Sequence, residues 1–125
     1  MREIKFRAWC KLDKILYDWE QVKKEFTLEY FDDRGLIFQQ YTVLKDKNGV
    51  EIYEGDIVKV ISGYGWERIS DVVWGLTSKH YGNYPAFSMP EIETELNSFA
   101  EVFDSGDYEV EVIGNIYENP ELLNG

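Results

Sequence analysis

Few residues in this chain could perform chemistry, and their spacing limits what that chemistry could be. There is one cysteine, Cys10, and one histidine, His80. A zinc site takes three or four ligands from cysteine, histidine and carboxylate, and one of each, seventy residues apart, does not supply that pattern. A single cysteine forms no intrachain disulfide, which suits a reducing compartment, and Cys10 reads as a small residue beside a strand or turn. A Ser–His–Asp relay needs only one histidine. However, Ser78-Lys79-His80-Tyr81-Gly82 reads as a polar loop, and the chain has no Gly-x-Ser-x-Gly elbow. Gly63-Tyr64-Gly65-Trp66 begins like a dinucleotide fingerprint, but Arg68 stands where the third glycine belongs. Asp46-Lys47-Asn48-Gly49 resembles the start of a calcium loop, but Glu51 occupies the sixth position, which requires glycine. Glu3-Ile4-Lys5 has the Glu-x-Lys spacing of some nucleases without an acidic residue upstream, and reads as part of a strand. If the chain were a hydrolase or nuclease working with carboxylates alone, Asp56 and Glu54 beside Tyr53 would be the candidates, since such work needs a carboxyl group with a shifted pKa in a cleft. The plainer role for Asp56 is to cap the turn before the next strand. No catalytic, cofactor or metal residues are therefore expected, and the chain is expected not to be an enzyme.

Binding residues are the other possibility. Twenty of the 125 residues are aromatic, and most should lie in the core of a small fold. Tyr64, Trp66, Tyr81 and Tyr84 fall in or beside loops and are the expected partner-binding residues. Stacking of bases on such rings is disfavoured by the charge, because phosphate binding draws its affinity from Lys and Arg. The chain holds 13 Lys and Arg against 24 Asp and Glu, a net charge of −11. Residues 1–60 carry a net −1 and residues 61–125 a net −10. The acidic half reads as a solvated face, or as an imitation of a nucleic-acid backbone that would occupy a basic DNA-binding protein.

The elements that would position these residues are mainly strands. Ile4, Phe6 and Ala8 alternate with Lys5, Arg7 and Trp9, and after a polar turn Ile15-Leu16-Tyr17 returns, which predicts an N-terminal hairpin. Residues 18–25 are ambiguous. Phe26, Leu28 and Tyr30 favour a strand over 26–31, followed by another over 36–44. Asp46 to Gly49 is the clearest turn signal: Asp46 can accept backbone hydrogen bonds and Gly49 can take the left-handed conformation of a G1 bulge, or Asn48-Gly49 can form a tighter primed turn, and either gives a hairpin. Ile57–Ile61, Trp66–Trp74, Tyr84–Met89 and Asp107–Ile113 read as further strands, with Pro85 confining its strand to an edge. Ser88 and Glu91 fit a capping box ahead of Ile92, Leu96, Phe99, Ala100 and Phe103, which predicts one short helix near 90–103. The expected fold is one domain, 1–125, mainly β, a small SH3-like or related barrel. The charged N-terminus and the absence of any run of ~20 apolar residues predict neither export nor a membrane span. Five apolar tail residues, Ile113, Ile116, Tyr117, Leu122 and Leu123, should dock on the barrel or on a neighbour, contributing on the order of 8–15 kcal/mol before ordering costs.

Three segments carry a resemblance. Arg2–Trp9, Gln40–Val58 and Val112–Leu123, with Lys45-Asp46-Lys47-Asn48-Gly49 and Gly114-Asn115-Ile116-Tyr117-Glu118-Asn119-Pro120 inside them, resemble the YopX family of phage and prophage proteins. Two positions depart from the family pattern. Cys10 stands where an acidic residue is usual, and Val43 where glycine is usual, so Val43 predicts a regular strand rather than a bulged one. The resemblance implies a mainly β fold, expression from mobile elements in the bacterial cytoplasm and a tendency to self-associate. It implies no reaction and no cofactor. The resulting expectation is a phage accessory protein that contacts an unknown host or phage protein and forms a homo-oligomer.

Overall fold

The computed structural model describes residues 4–33, 35–77, 84–89 and 106–123. Nine strands and one α-helix are seen among them. β1 (Phe6–Cys10) and β2 (Ile15–Tyr17) form the N-terminal hairpin. After α1 (Trp19–Glu25) and a 3-10 helix at Leu28–Asp32 come β3 (Leu36–Lys45), β4 (Glu51–Tyr53) and β5 (Asp56–Ser62). β6 (Glu67–Asp71), β7 (Val73–Thr77), β8 (Tyr84–Ser88) and β9 (Tyr108–Asn115) follow, and a 3-10 turn closes the chain at Pro120–Leu123. All pairings are antiparallel, in the orders β2-β1-β3-β4, β6-β5-β9 and β7-β8. The sheets curl into a half-barrel, so the expected mainly β, barrel-like class holds.

The core lies between the curled sheets. Ile52, Val58, Val60, Val72, Met89 and Val110 are buried together, with Leu44, Trp66, Tyr108 and Val112 packed against them. The period-two pattern accounts for this: Val58 and Val60 face inward from β5, while Lys59 and Ile61 alternate outward. β9 follows the same rule, with Val110 buried and Glu109 exposed.

Three expectations need correction. Residues 26–31 are not a strand: α1 ends at Glu25 with Phe26 as its cap, and a 3-10 helix follows. Asp18 caps α1, accepting from the Gln21 N–H at 2.9 Å while the Gln21 side chain accepts from the Asp18 N–H at 3.0 Å. That reciprocal box satisfies two donors and starts the helix; Phe26 then packs edge-on against Tyr17 and Phe38 instead of alternating across a sheet. Trp66–Trp74 is two strands that change partner at Val72: β6 pairs with β5, β7 pairs with β8, and Val72 makes the last bonds to the start of β5. Its N–H donates to the Asp56 carbonyl at 2.9 Å and its carbonyl accepts from Gly55 at 2.7 Å. Lastly, β3 is not regular at Val43: the register with β4 shifts between Tyr41 and Lys45, and Val43 has φ 75°. The helix expected near 90–103 lies outside the described residues.

Candidate functional site

The polar residues that converge do so where β1, β3 and the β4–β5 turn meet. Arg7 projects from β1 on the face opposite Phe6 and Ala8. Its Nη2 lies 2.7 Å from Asp56 Oδ1, and its Nε donates to Gln39 Oε1 at 2.6 Å. The other Asp56 oxygen accepts from the Tyr53 N–H at 2.8 Å. The guanidinium also stacks over the Tyr53 ring, 4.9 Å from its centroid. The turn itself needs glycine: Gly55 has φ 84°, and a Cβ there would collide with the Gln39 side-chain amide. The Gly55 carbonyl accepts from Ile116, and Tyr117 stacks on Trp9 with centroids 5.6 Å apart, so the tail docks on its own chain. It is half-buried rather than sunk, and Leu123 stays exposed.

Beside this cluster runs a cleft of about 460 Å³, lined by Lys5, Arg7, Leu16, Trp19, Glu51 and Tyr53 among others. Its charges are paired within the chain. Lys5 Nζ lies 2.6 Å from Glu51 Oε2, Lys23 pairs with Glu20 at 2.9 Å, and Asp18 is the helix cap. Burial pushes the Asp56 carboxyl above its ordinary value, while Arg7 and the Tyr53 N–H pull against that shift. Burial, then the Glu51 charge, pushes the Tyr53 phenol up to about 12. Burial, then Glu54, raises Tyr117. Each Asp56 oxygen thus has one donor, and the buried carboxyl ties β1 to the β4–β5 turn.

The second converging set is the β3–β4 loop. Asp46 is buried and accepts from the N–H groups of Asn48, Val50 and Val112 at 2.8–2.9 Å. Gly49, at φ 83°, donates to the Asp46 carbonyl. The expected Asp46–Gly49 turn is present, and Asp46 also fastens it to β9. Burial works to raise this carboxyl, but the three N–H groups and Lys47 outweigh it and hold it below its ordinary value.

Of the expected binding residues, Tyr64 and Trp66 share the β5–β6 turn. Tyr64 is 78% exposed. Trp66 is half-buried, its ring 5.7 Å from Tyr108 and under the Arg68 guanidinium. Tyr84 opens β8 in another sheet, opposite Thr77, and Tyr81 lies outside the described residues, as does His80. Cys10 ends β1 and its Sγ accepts from the Asp13 N–H, the turn role expected of it. Among the described residues no three His, Cys, Asp or Glu side chains gather as a metal site, and no helix is long and apolar enough to cross a membrane. Sequence reasoning missed the roles of Arg7 and Gln39, whereas Tyr117 docks as expected of the tail. The alternation of residues 4–9 separated Arg7 from the apolar face, which was the available signal, but its partner lies in a distant strand.

No curated protein matches the chain. Among solved structures, the crystal structure of protein EF1440 from Enterococcus faecalis is similar in fold, with a TM-score of 0.59 and 23% identity over 98% of this chain and 99% of that one. Residues 20–124 match the family described as YopX protein. The match takes in the Asp46 loop, the Gly55-Asp56 turn and the docked tail, and the chain belongs to the YopX family.

Proposed function

We propose that this chain is a non-enzymatic accessory protein of a phage or prophage, acting in the bacterial cytoplasm by contact with another protein. The observation that supports this most is the commitment of Asp56, the best carboxylate candidate for chemistry, to Arg7 and the Tyr53 N–H, while Tyr64 projects into solvent from a hydrogen-bonded turn. The turn is held by Ser62, whose Oγ accepts from the Tyr64 N–H at 2.9 Å and whose carbonyl accepts from Gly65 at 3.1 Å. An aromatic side chain on a preorganised turn brings contact area at little entropic cost. The test is affinity capture from phage-carrying cells at low and high salt, with the natural chain and with Tyr64→Ala. The reading expects a specific partner with the natural chain and at least tenfold less with the variant, at unchanged melting temperature. Capture that disappears in high salt and competes with duplex DNA would instead favour an acidic decoy. Equal capture by both chains rejects Tyr64 as the contact.

A further inference from the structure

The hydrogen bonds of β6 show which of its backbone groups are used. In an antiparallel ladder, residue pairs alternate between those that exchange hydrogen bonds and those that do not. Ser62 N–H donates to Trp66 O, and Val72 N–H to Asp56 O. These two bonds fix the phase at both ends of the β5–β6 ladder. Val60·Arg68 and Val58·Ser70 are then bonded pairs, whereas Ile61·Glu67, Lys59·Ile69 and Ile57·Asp71 are not. The peptide groups of Glu67, Ile69 and Asp71 therefore point away from β5. β6 is the terminal strand of its sheet, and no hydrogen bond to the N–H groups of these three residues is seen among the described residues. Glu67, Arg68 and Ile69 are exposed even though the Pro120–Leu123 turn packs near this strand.

An open edge of this kind is a template for another strand. We infer that β6 receives an extended segment of a partner protein carrying a basic, an apolar and a basic residue at alternate positions, which it would pair with Glu67, Ile69 and Asp71. This inference rests on the contact reading above and places the contact: such a strand would run directly from the turn that presents Tyr64. A second copy is the poorer occupant. Full antiparallel pairing of two β6 edges about Ile69 sets Glu67 opposite Asp71 twice, and like charges directly opposed across strands destabilise the pair. The same charges favour lysine or arginine in a foreign strand.

The test uses the ¹⁵N-labelled full chain and the synthetic peptide acetyl-Thr-Lys-Thr-Val-Thr-Lys-Thr-amide, followed by amide NMR shifts and hydrogen exchange. The expected result is saturable binding that shifts and protects the amides of Glu67, Ile69 and Asp71. Affinity should fall at least tenfold with Glu67→Lys, and likewise when the peptide is N-methylated on the residues facing β6. Ile69→Pro should abolish binding; it removes an N–H that β5 does not use, a substitution an edge strand tolerates. Equal binding of the N-methylated peptide, or shifts that avoid these three amides, overturns the edge. If lysate capture is then still lost with Tyr64→Ala, the contact reading stands without it; if capture finds no partner while the peptide binds at these amides, the reading fails and the edge remains.

Discussion

Val43 sits at φ 75°, where the Cβ of a β-branched residue crowds the following carbonyl oxygen, and it is 41% exposed, so it gains little from burial. Its neighbours hold it there: the Thr42 hydroxyl donates to the Ile52 carbonyl at 2.7 Å and accepts from the Leu44 N–H at 3.2 Å. Val43→Gly should therefore stabilise the chain by about 1 kcal/mol, read as a higher midpoint in urea; a lower midpoint would show that the bulge is not strained. Asp46 behaves differently. Removing its carboxylate leaves three N–H groups unmatched, and Asp46→Ala should cost about 2–3 kcal/mol. Its lowered pKa also sets a sign: the stability it provides is present above pH 3.8 and is lost as pH falls below that value. Asp46→Asn should flatten the acid limb of a stability–pH curve. The Tyr53 phenol, raised to about 12, acts at the other extreme. Folding holds its proton more tightly than the unfolded chain does, so its contribution is whole below pH 10 and declines between 10 and 12; Tyr53→Phe should remove that decline.

At the scale of elements, one ion pair joins the N-terminal sheet to the β4–β5 turn. Arg7 and Asp56 are both largely buried, and breaking such a pair leaves an uncompensated charge. Arg7→Ala should cost about 3–5 kcal/mol in chemical unfolding, and a loss under 1 kcal/mol would show that the turn holds without it. How far each element could be read from the sequence followed from the range of its interactions. The Asp46–Gly49 turn is local, since four residues contain both the acceptor and the left-handed glycine, and it was legible. β5 alternates over Val58–Ser62 and β9 over Glu109–Glu111, and these stretches were legible too, whereas the register shift between the two strands at Ile57/Val58 was not. α1 was readable in principle, since Asp18 and Gln21 form a capping box at the right spacing, but the strand-like spacing of Phe26, Leu28 and Tyr30 competed with it. The Val43 bulge was hidden because a valine, by type, argues for a regular strand; only the fixed ends at Tyr41 and Lys45, paired with Tyr53 and Glu51, impose two extra residues on β3. The candidate site was half legible: Asp56 as a turn cap could be seen, whereas Arg7, 49 positions earlier, depends on topology.

For the molecule as a whole, the charges form architecture in one region and remain open in another. Those of Arg7, Asp56, Lys5 and Glu51 are paired across strands. Those of Glu67 and Asp71 flank an exposed Ile69 at a sheet edge, next to Tyr64. This division is the reason for placing function in contact rather than in a cleft. The tail docks on its own chain through Ile116, Tyr117 and Trp9, beside the β4–β5 turn. The most direct test installs the photocrosslinking residue benzoylphenylalanine at Tyr64, and separately at exposed Val50 in the β3–β4 loop, in phage-carrying cells. The account predicts one defined heterologous adduct from Tyr64 and none from Val50. No adduct from Tyr64, or the same adducts from both positions, would contradict it.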